Sequence, residues 1–197
     1  MPRTKEQNEV IRAEKRQLIM DSALQLFAEH GFENTSIANI AKHTGISQGL
    51  VYAYFKSKDD LLYQILTSGM QKVEADFSPE MSMEVFLASV DKILSHILEN
   101  KQFFKLYTIL SVQPKVTQKL GNLANEYNAP RNMMTLFQNK FGEAALREVL
   151  LISIIMKGFP IIALFGDMQK VYQVDTLKSV VMDFLKERYV NLLEFRY

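Results

Sequence analysis

Residues 35–55 read TSIANIAKHTGISQGLVYAYF, and the fold turns on this stretch. Ile37 and Ile40 begin one apolar-periodic piece, and Ala41 offers the smallest side chain where a second helix must cross closely. Gly45 can take the positive φ of a tight turn, and Val51 packs back from the second piece. Each piece is under three turns long. Two helices crossing at about 90–120° over a turn of about 3–4 residues make a helix-turn-helix. Ser47 is then the N-cap of the second helix. That leaves Gln48, Gly49 and Leu50 in its first turn, the positively polarised end that meets base edges when such a helix lies in a major groove.

The local charge agrees. Between Asn34 and Lys58 there are three lysines, Lys42, Lys56 and Lys58, and no Asp or Glu, a patch of +3 in a chain whose 23 basic and 22 acidic residues give +1. Affinity for nucleic acid must therefore come from this patch and not from global charge. Tyr52 and Tyr54 lie two residues apart, so one helix cannot turn both toward its core, and at least one phenol is left for a phosphate. Thr35 and Ser36 place hydroxyls at the N-terminus of the first short helix, a phosphate-facing end. Gln48 can pair bidentately with adenine and Leu50 can meet a thymine methyl, or Gln48 serves only to position the helix.

Toward the N-terminus, Ile19, Ala23, Leu26 and Phe27 recur at helical spacing and predict a helix over 10–30, stopped by Gly31. At the N-terminal end Arg3, Lys5, Arg12, Lys15 and Arg16 alternate with Glu6, Glu9 and Glu14, either a minor-groove arm or a frayed polar start. Toward the C-terminus, Ser57 followed by Lys58, Asp59 and Asp60 is a helix start. Leu61, Leu62, Ile65, Leu66, Val73 and Phe77 stripe that helix over 58–78, and Ser78-Pro79 marks a domain boundary. Beyond it, apolar periodicity broken by Pro114, Pro130, Gly142 and Pro160 predicts helices ending near Asn100 and over 103–112, 116–127, 131–141, 143–165 and 175–195. The last carries a stripe of Leu177, Val181, Phe184, Leu185 and Leu192, and the helix before it is apolar nearly all round, with a kink expected at Gly158 to Pro160. No strand alternation survives, so the fold class is all-α.

The stretch from Ala23 to Leu62, ALQLFAEHGFENTSIANIAKHTGISQGLVYAYFKSKDDLL, resembles the DNA-binding domain of the TetR/AcrR family of bacterial transcriptional regulators. Leu26-Phe27, Gly31-Phe32, Thr35, Ile40-Ala41, Gly45, Ser47, Gly49, Tyr52, Tyr54-Phe55, Ser57-Lys58 and Leu61 fall where that family's pattern has them, without a gap. Ala53 and Leu50 depart from it, which bears on the operator sequence and not on the mode of binding. The resemblance implies DNA contacts from Thr35, Ser36, Ser47, Gln48, Gly49, Leu50, Tyr52, Tyr54 and Lys58, with Tyr52, Tyr54 and Lys58 chiefly on phosphates. It implies a homodimer whose last two helices pair with their mates in a four-helix bundle. It divides the chain into a helix-turn-helix domain over 10–57, with the motif itself at about 35–54, a connecting helix over 58–78, and an effector-binding and dimerisation domain over 79–197.

At 197 residues and 22.7 kDa the chain holds one large domain or two small ones and excludes a large multidomain enzyme. Zero cysteines exclude disulfides, thiolate metal sites and thiol nucleophiles. His30, His43 and His96 have no metal-ligand spacing. No nucleophile elbow or phosphate loop is present, so an enzyme is not expected, and no cofactor or metal with it. A polar N-terminus argues against secretion, and VLLISIIMKGFPIIALF at 149–165 is too interrupted to span a bilayer. Phe103, Phe104, Tyr107, Tyr127, Met133, Met134, Phe137, Met156 and Phe159 suit the wall of an apolar pocket, although ordinary core explains any one of them equally. The expectation is a cytoplasmic, ligand-responsive repressor that binds a palindromic double-stranded operator as a homodimer and answers to a small, largely apolar effector. A helical adaptor binding only protein is the alternative, and it has no use for an acid-free segment of this length.

Overall fold

A computed structural model describes residues 4–74, 82–113, 129–165 and 173–190. Their regular structure is helical, with no strand among them. The chain divides into two compact units, Met1–Gly69 and Met70–Tyr197. The boundary expected at Ser78-Pro79 lies outside the described residues.

The first unit holds α1 (Lys5–His30), α2 (Ile37–Thr44), α3 (Gln48–Tyr54) and most of α4 (Lys58–Glu74). α1 begins five residues before the expected position 10, because Thr4 and Gln7 form a capping box: the Gln7 N–H donates to Thr4 Oγ1 at 3.2 Å and the Thr4 N–H to Gln7 Oε1 at 3.0 Å. From Lys5 onward the N-terminal segment is therefore helix, and Arg3 lies outside the described residues. α1 ends at Gly31 (φ +84°), whose N–H reaches the Phe27 carbonyl at 3.0 Å. α2 ends in a left-handed turn at Gly45 (φ +68°), with Ile46 N–H bonded to the Ala41 carbonyl at 3.0 Å and Gly45 N–H to that of Lys42 at 3.3 Å. This pair of bonds is the Schellman closure that glycine makes cheap. Ile19, Ala23, Phe27, Ile40, Val51 and Leu61 have no exposed surface and form the core, each large side chain contributing about 1.5–3 kcal/mol by leaving water. α4 starts where expected. Ser57 Oγ accepts the Asp60 N–H at 3.0 Å, and the Asp60 carboxylate accepts the Gln64 amide at 2.8 Å and the Lys56 N–H at 2.8 Å. Those two donors hold Asp60 below the usual carboxylate range.

The second unit contains α5 (Met83–Glu99), α6 (Lys101–Ser111), α7 (Ala129–Phe141), α8 (Ala145–Leu164) and α9 (Val174–Tyr189). The helix expected over 116–127 lies outside the described residues. The single helix expected over 143–165 is instead a 3-10 turn, Gly142–Ala144, followed by α8. Pro160 sits inside α8, where it has no N–H to give the Met156 carbonyl. Phe86 of α5, Phe137 and Phe141 of α7 and Tyr189 of α9 pack edge to face, the Phe86–Phe137 centroids 5.1 Å and the Phe137–Tyr189 centroids 5.5 Å apart. The buried line of α9 runs through Met182, Leu185 and Tyr189, whereas Phe184, expected inside, is exposed.

Candidate nucleic-acid interface

α3 is seven residues long and divides cleanly by exposure. Val51 and, just beyond its end, Phe55 are buried, while Gln48, Gly49, Tyr52 and Ala53 face solvent and Leu50 and Tyr54 are half-buried. Tyr52 keeps 54% of its surface exposed, too much for a core aromatic. Ser47 Oγ accepts the Leu50 N–H at 3.2 Å, so the predicted cap forms. Ser36 caps α2 in the same way: its Oγ accepts the Asn39 N–H at 3.1 Å while its own N–H donates to Asn39 Oδ1 at 2.9 Å. Ser36 therefore caps α2, Ser47 ends the turn, and Gln48, Gly49, Leu50, Tyr52 and Tyr54 fall on α3, with Lys42 and Lys56 exposed on the same segment.

Gly49 is informative because nothing inside the protein calls for it. Its φ is ordinary, and a Cβ built there would meet only Ser47 Oγ, at 4.0 Å. A glycine in a helix costs about 0.5–1 kcal/mol relative to alanine. A side chain at this position would therefore fit within the chain without a clash.

Two expected contact residues are employed elsewhere. Thr35 is 3% exposed, and its hydroxyl donates to the Gly31 carbonyl at 2.9 Å and the Leu26 carbonyl at 3.3 Å. It fastens the end of α1 to the start of α2 and has no surface for a phosphate. Lys58 Nζ donates to the Phe32 carbonyl at 2.7 Å and the Glu33 carbonyl at 3.4 Å, and lies 4.3 Å from the Phe32 ring centroid. Its ammonium ties the first turn of α4 to the connection before α2, so most of its hydrogen-bonding capacity is used internally. The spacing of Thr35 and Lys58 gives no hint of these bonds, since their partners lie up to 26 residues away.

α1 also reaches this segment, which sequence periodicity did not reveal. The Arg12 guanidinium sits 5.9 Å from the Tyr54 ring centroid, and that of Arg16 is 5.5 Å from the Phe55 centroid; Arg16 also donates to Gln64 Oε1. His30 and His43, far apart in sequence, line one open cavity of about 470 Å³ with Leu26, Asn34, Thr35, Asn39 and Lys42. Among the described residues no cluster of His, Asp or Glu could hold a metal.

In the second unit, the candidate pocket residues separate by burial. Phe103, Phe104, Phe137 and Phe159 are buried. Phe137 belongs to the Phe86–Tyr189 cluster, so it is packed core. Tyr107, Met134 and Met156, with Met133, are half-buried, and burial pushes the Tyr107 phenol up. Tyr127 lies outside the described residues. Sequence reading missed Glu148, buried in the largely apolar α8. It accepts Arg188 Nε at 2.8 Å, Arg188 Nη2 at 2.7 Å and the Tyr189 hydroxyl at 3.1 Å. Arg188 holds the Glu148 carboxyl below its usual range, against the opposing effect of burial.

The family model for bacterial regulatory proteins of the tetR family matches residues 19–65, which contain the whole of α2, α3 and their turn. SrpR, an HTH-type transcriptional regulator of Pseudomonas putida, is 33% identical over 98 residues, 47% of this chain and 45% of its own. TtgW, also of Pseudomonas putida and described as an uncharacterized HTH-type transcriptional regulator, is 33% identical over 98 residues, 47% of this chain and 72% of its own. YerO of Bacillus subtilis is 30% identical over 156 residues, 74% of this chain and 53% of its own. The chain thus spans about half the length of SrpR and YerO. Among solved structures, a transcriptional regulator from Aquifex aeolicus shares the fold with a TM-score of 0.70 at 20% identity, over 87% of this chain and 97% of its own. These relatives are regulators and not enzymes. With an all-α fold, the capped α2–α3 pair and a 33% identical relative covered over 72% of its length, the chain belongs to the TetR family of bacterial transcriptional regulators, whose N-terminal helix-turn-helix binds DNA.

Proposed function

We propose that the chain is a ligand-responsive repressor that binds a palindromic operator as a homodimer in the cytoplasm. The observation that carries this reading is the exposed surface of α3: Gln48, Gly49 and Tyr52 are exposed while Val51 is buried, on a segment without one carboxylate from Asn34 to Lys58. Gln48 reads a base, Ser36, Ser47, Tyr52 and Tyr54 position the helix on the backbone, and Gly49 admits the groove edge.

A second copy of the chain suits the outer faces of α8 and α9. Leu146, Leu150 and Ile154 recur every four residues along α8 and are exposed, Ile154 at 68%, and Val180 and Phe184 are exposed on α9, Val180 at 58%. Exposed apolar rows of this kind are covered in a stable assembly. On a palindromic operator the two copies of α3 would enter successive major grooves, about 34–36 Å apart. A small, largely apolar effector, with Tyr107, Met134 and Met156 among its contacts, would favour a spacing that no longer fits, through its differential affinity for the two states. The bonds from Lys58 to the Phe32 and Glu33 carbonyls would pass a displacement of the start of α4 to α2.

Selection of bound duplexes from a random pool by the purified chain, with its mass in solution measured alongside, tests the proposal. Enrichment of one inverted repeat by a dimer supports it; a folded chain that enriches nothing at low salt refutes it.

A further inference from the structure

The N-terminal half of α1 contributes no fully buried residue. Every residue from Thr4 to Val10 is exposed, as are Arg12, Ala13, Glu14 and Lys15, and the first fully buried residue is Ile19. A helical segment this short is marginal in water without tertiary contacts, yet here it is capped by the Thr4–Gln7 box and held at two points, Arg12 on Tyr54 and Arg16 on Phe55.

Lys5, Arg12 and Arg16 follow the i, i+7, i+11 spacing of one helical face, and seven residues past Arg12 that face becomes the one that buries Ile19. It therefore lies toward the rest of the unit, on the side of Tyr54. Lys15 flanks it at i+3 from Arg12, and Glu9, four residues after Lys5 and seven before Arg16, lies on it; Glu6 and Glu14 fall on other faces. Tyr54 carries the line of contact onto α3. A guanidinium stacked on a ring still presents its N–H groups at the edge of its plane, and that fork matches a phosphate. Among the described residues no carboxylate pairs with Arg12, so those donors are available to a ligand.

We propose that Arg12 is a phosphate-binding residue, held against the Tyr54 ring, and that the Lys5–Arg12–Arg16 face of α1 extends the DNA footprint along the backbone beyond α2 and α3. This rests on α3 being the DNA-facing helix. The interaction is independent of base sequence, because a guanidinium on a phosphate carries no sequence information.

The test is the salt dependence of binding by the full chain to a labelled random-sequence duplex, from about 50 to 200 mM salt. Arg12→Ala flattens the log–log slope by about 0.9 and weakens binding at the upper end of that range by about 3- to 10-fold, equally for all sequences. Arg12→Lys keeps the slope, since it keeps the charge. In a Tyr54→Leu background Arg12→Ala loses less than in the wild type, because the stacked geometry is already gone. The thermal transition is unchanged in Arg12→Ala, which separates a contact from a structural role. An Arg12→Ala chain with the wild-type slope overturns the role of Arg12 and leaves α3 as the interface. A wild-type chain that binds no duplex at low salt overturns both.

Discussion

Replacing Gly49 by alanine sets fold stability and DNA binding against each other. The added Cβ meets no atom closer than Ser47 Oγ at 4.0 Å, and the backbone φ there is one that alanine adopts freely. Alanine loses less backbone entropy on folding than glycine. A gain of about 0.5 kcal/mol follows, the lower end of the range because the residue sits in the first turn of a short helix. In denaturant titrations of the full chain, the transition of the first unit moves to higher concentration with an unchanged slope. The same methyl points out of the protein, where the proposed groove edge approaches, and a forced misfit of one methyl costs about 1–3 kcal/mol, or roughly 5- to 150-fold in affinity. Anisotropy titration against the selected operator reads this loss. Wild-type affinity with raised stability would show that no duplex approaches Gly49 and would refute the placement of α3 in the groove. Lowered stability would refute the local account of why alanine is tolerated.

Lys58→Met removes the ammonium from the Phe32 and Glu33 carbonyls, and it lowers stability by about 1–2 kcal/mol while leaving the salt slope of DNA binding where it was; a slope reduced by about 0.9 would return Lys58 to the phosphates. Glu148→Ala strands Arg188, whose side chain is 31% exposed, and lowers stability by about 2–3 kcal/mol, less than for a fully enclosed pair; urea denaturation at neutral pH measures it, and a loss below about 0.5 kcal/mol would contradict the pairing. The carboxyl of Glu148 is held below the ordinary 4.5, so its stabilisation is present above that value and disappears as pH falls through the lower folded-state value; Glu148→Gln removes this acid limb of the stability–pH curve. Ile154→Glu places a charge on the exposed apolar face of α8 and, by self-repulsion across a two-fold axis, yields a species of 22.7 kDa in light scattering; an unchanged dimer would move the interface elsewhere.

The helix-turn-helix was legible because its determinants are local. Gly45 supplies the positive φ, Ser47 caps three residues ahead, and Val51 and Ile40 are the apolar positions of two short periodic runs, all within the 21 residues quoted at the outset. What was not legible depends on distance along the chain. The start of α1 was placed late because its cap, Thr4 with Gln7, lies well before the apolar pattern that begins at Ile19. Thr35 and Lys58 read as phosphate ligands by position, but carbonyls of the folded connection, at Gly31 and Phe32, take their donors. Glu148 in an apolar run made sense only once Arg188, 40 residues on, was seen beside it. The aromatic residues of the second unit could be core or pocket wall by composition alone, and the Phe86, Phe137 and Tyr189 cluster draws one of them, Phe137, firmly into the core.

The most direct measurement of the central claim is a pair of duplex selections, one with the wild type and one with Gln48→Ala. If α3 reads the major groove of a two-fold operator, the wild type enriches one inverted repeat, and the variant enriches the same repeat with preference relaxed at one base pair, symmetrically, in both half-sites. Identical preferences from the two proteins, or relaxation in one half-site only, would contradict it.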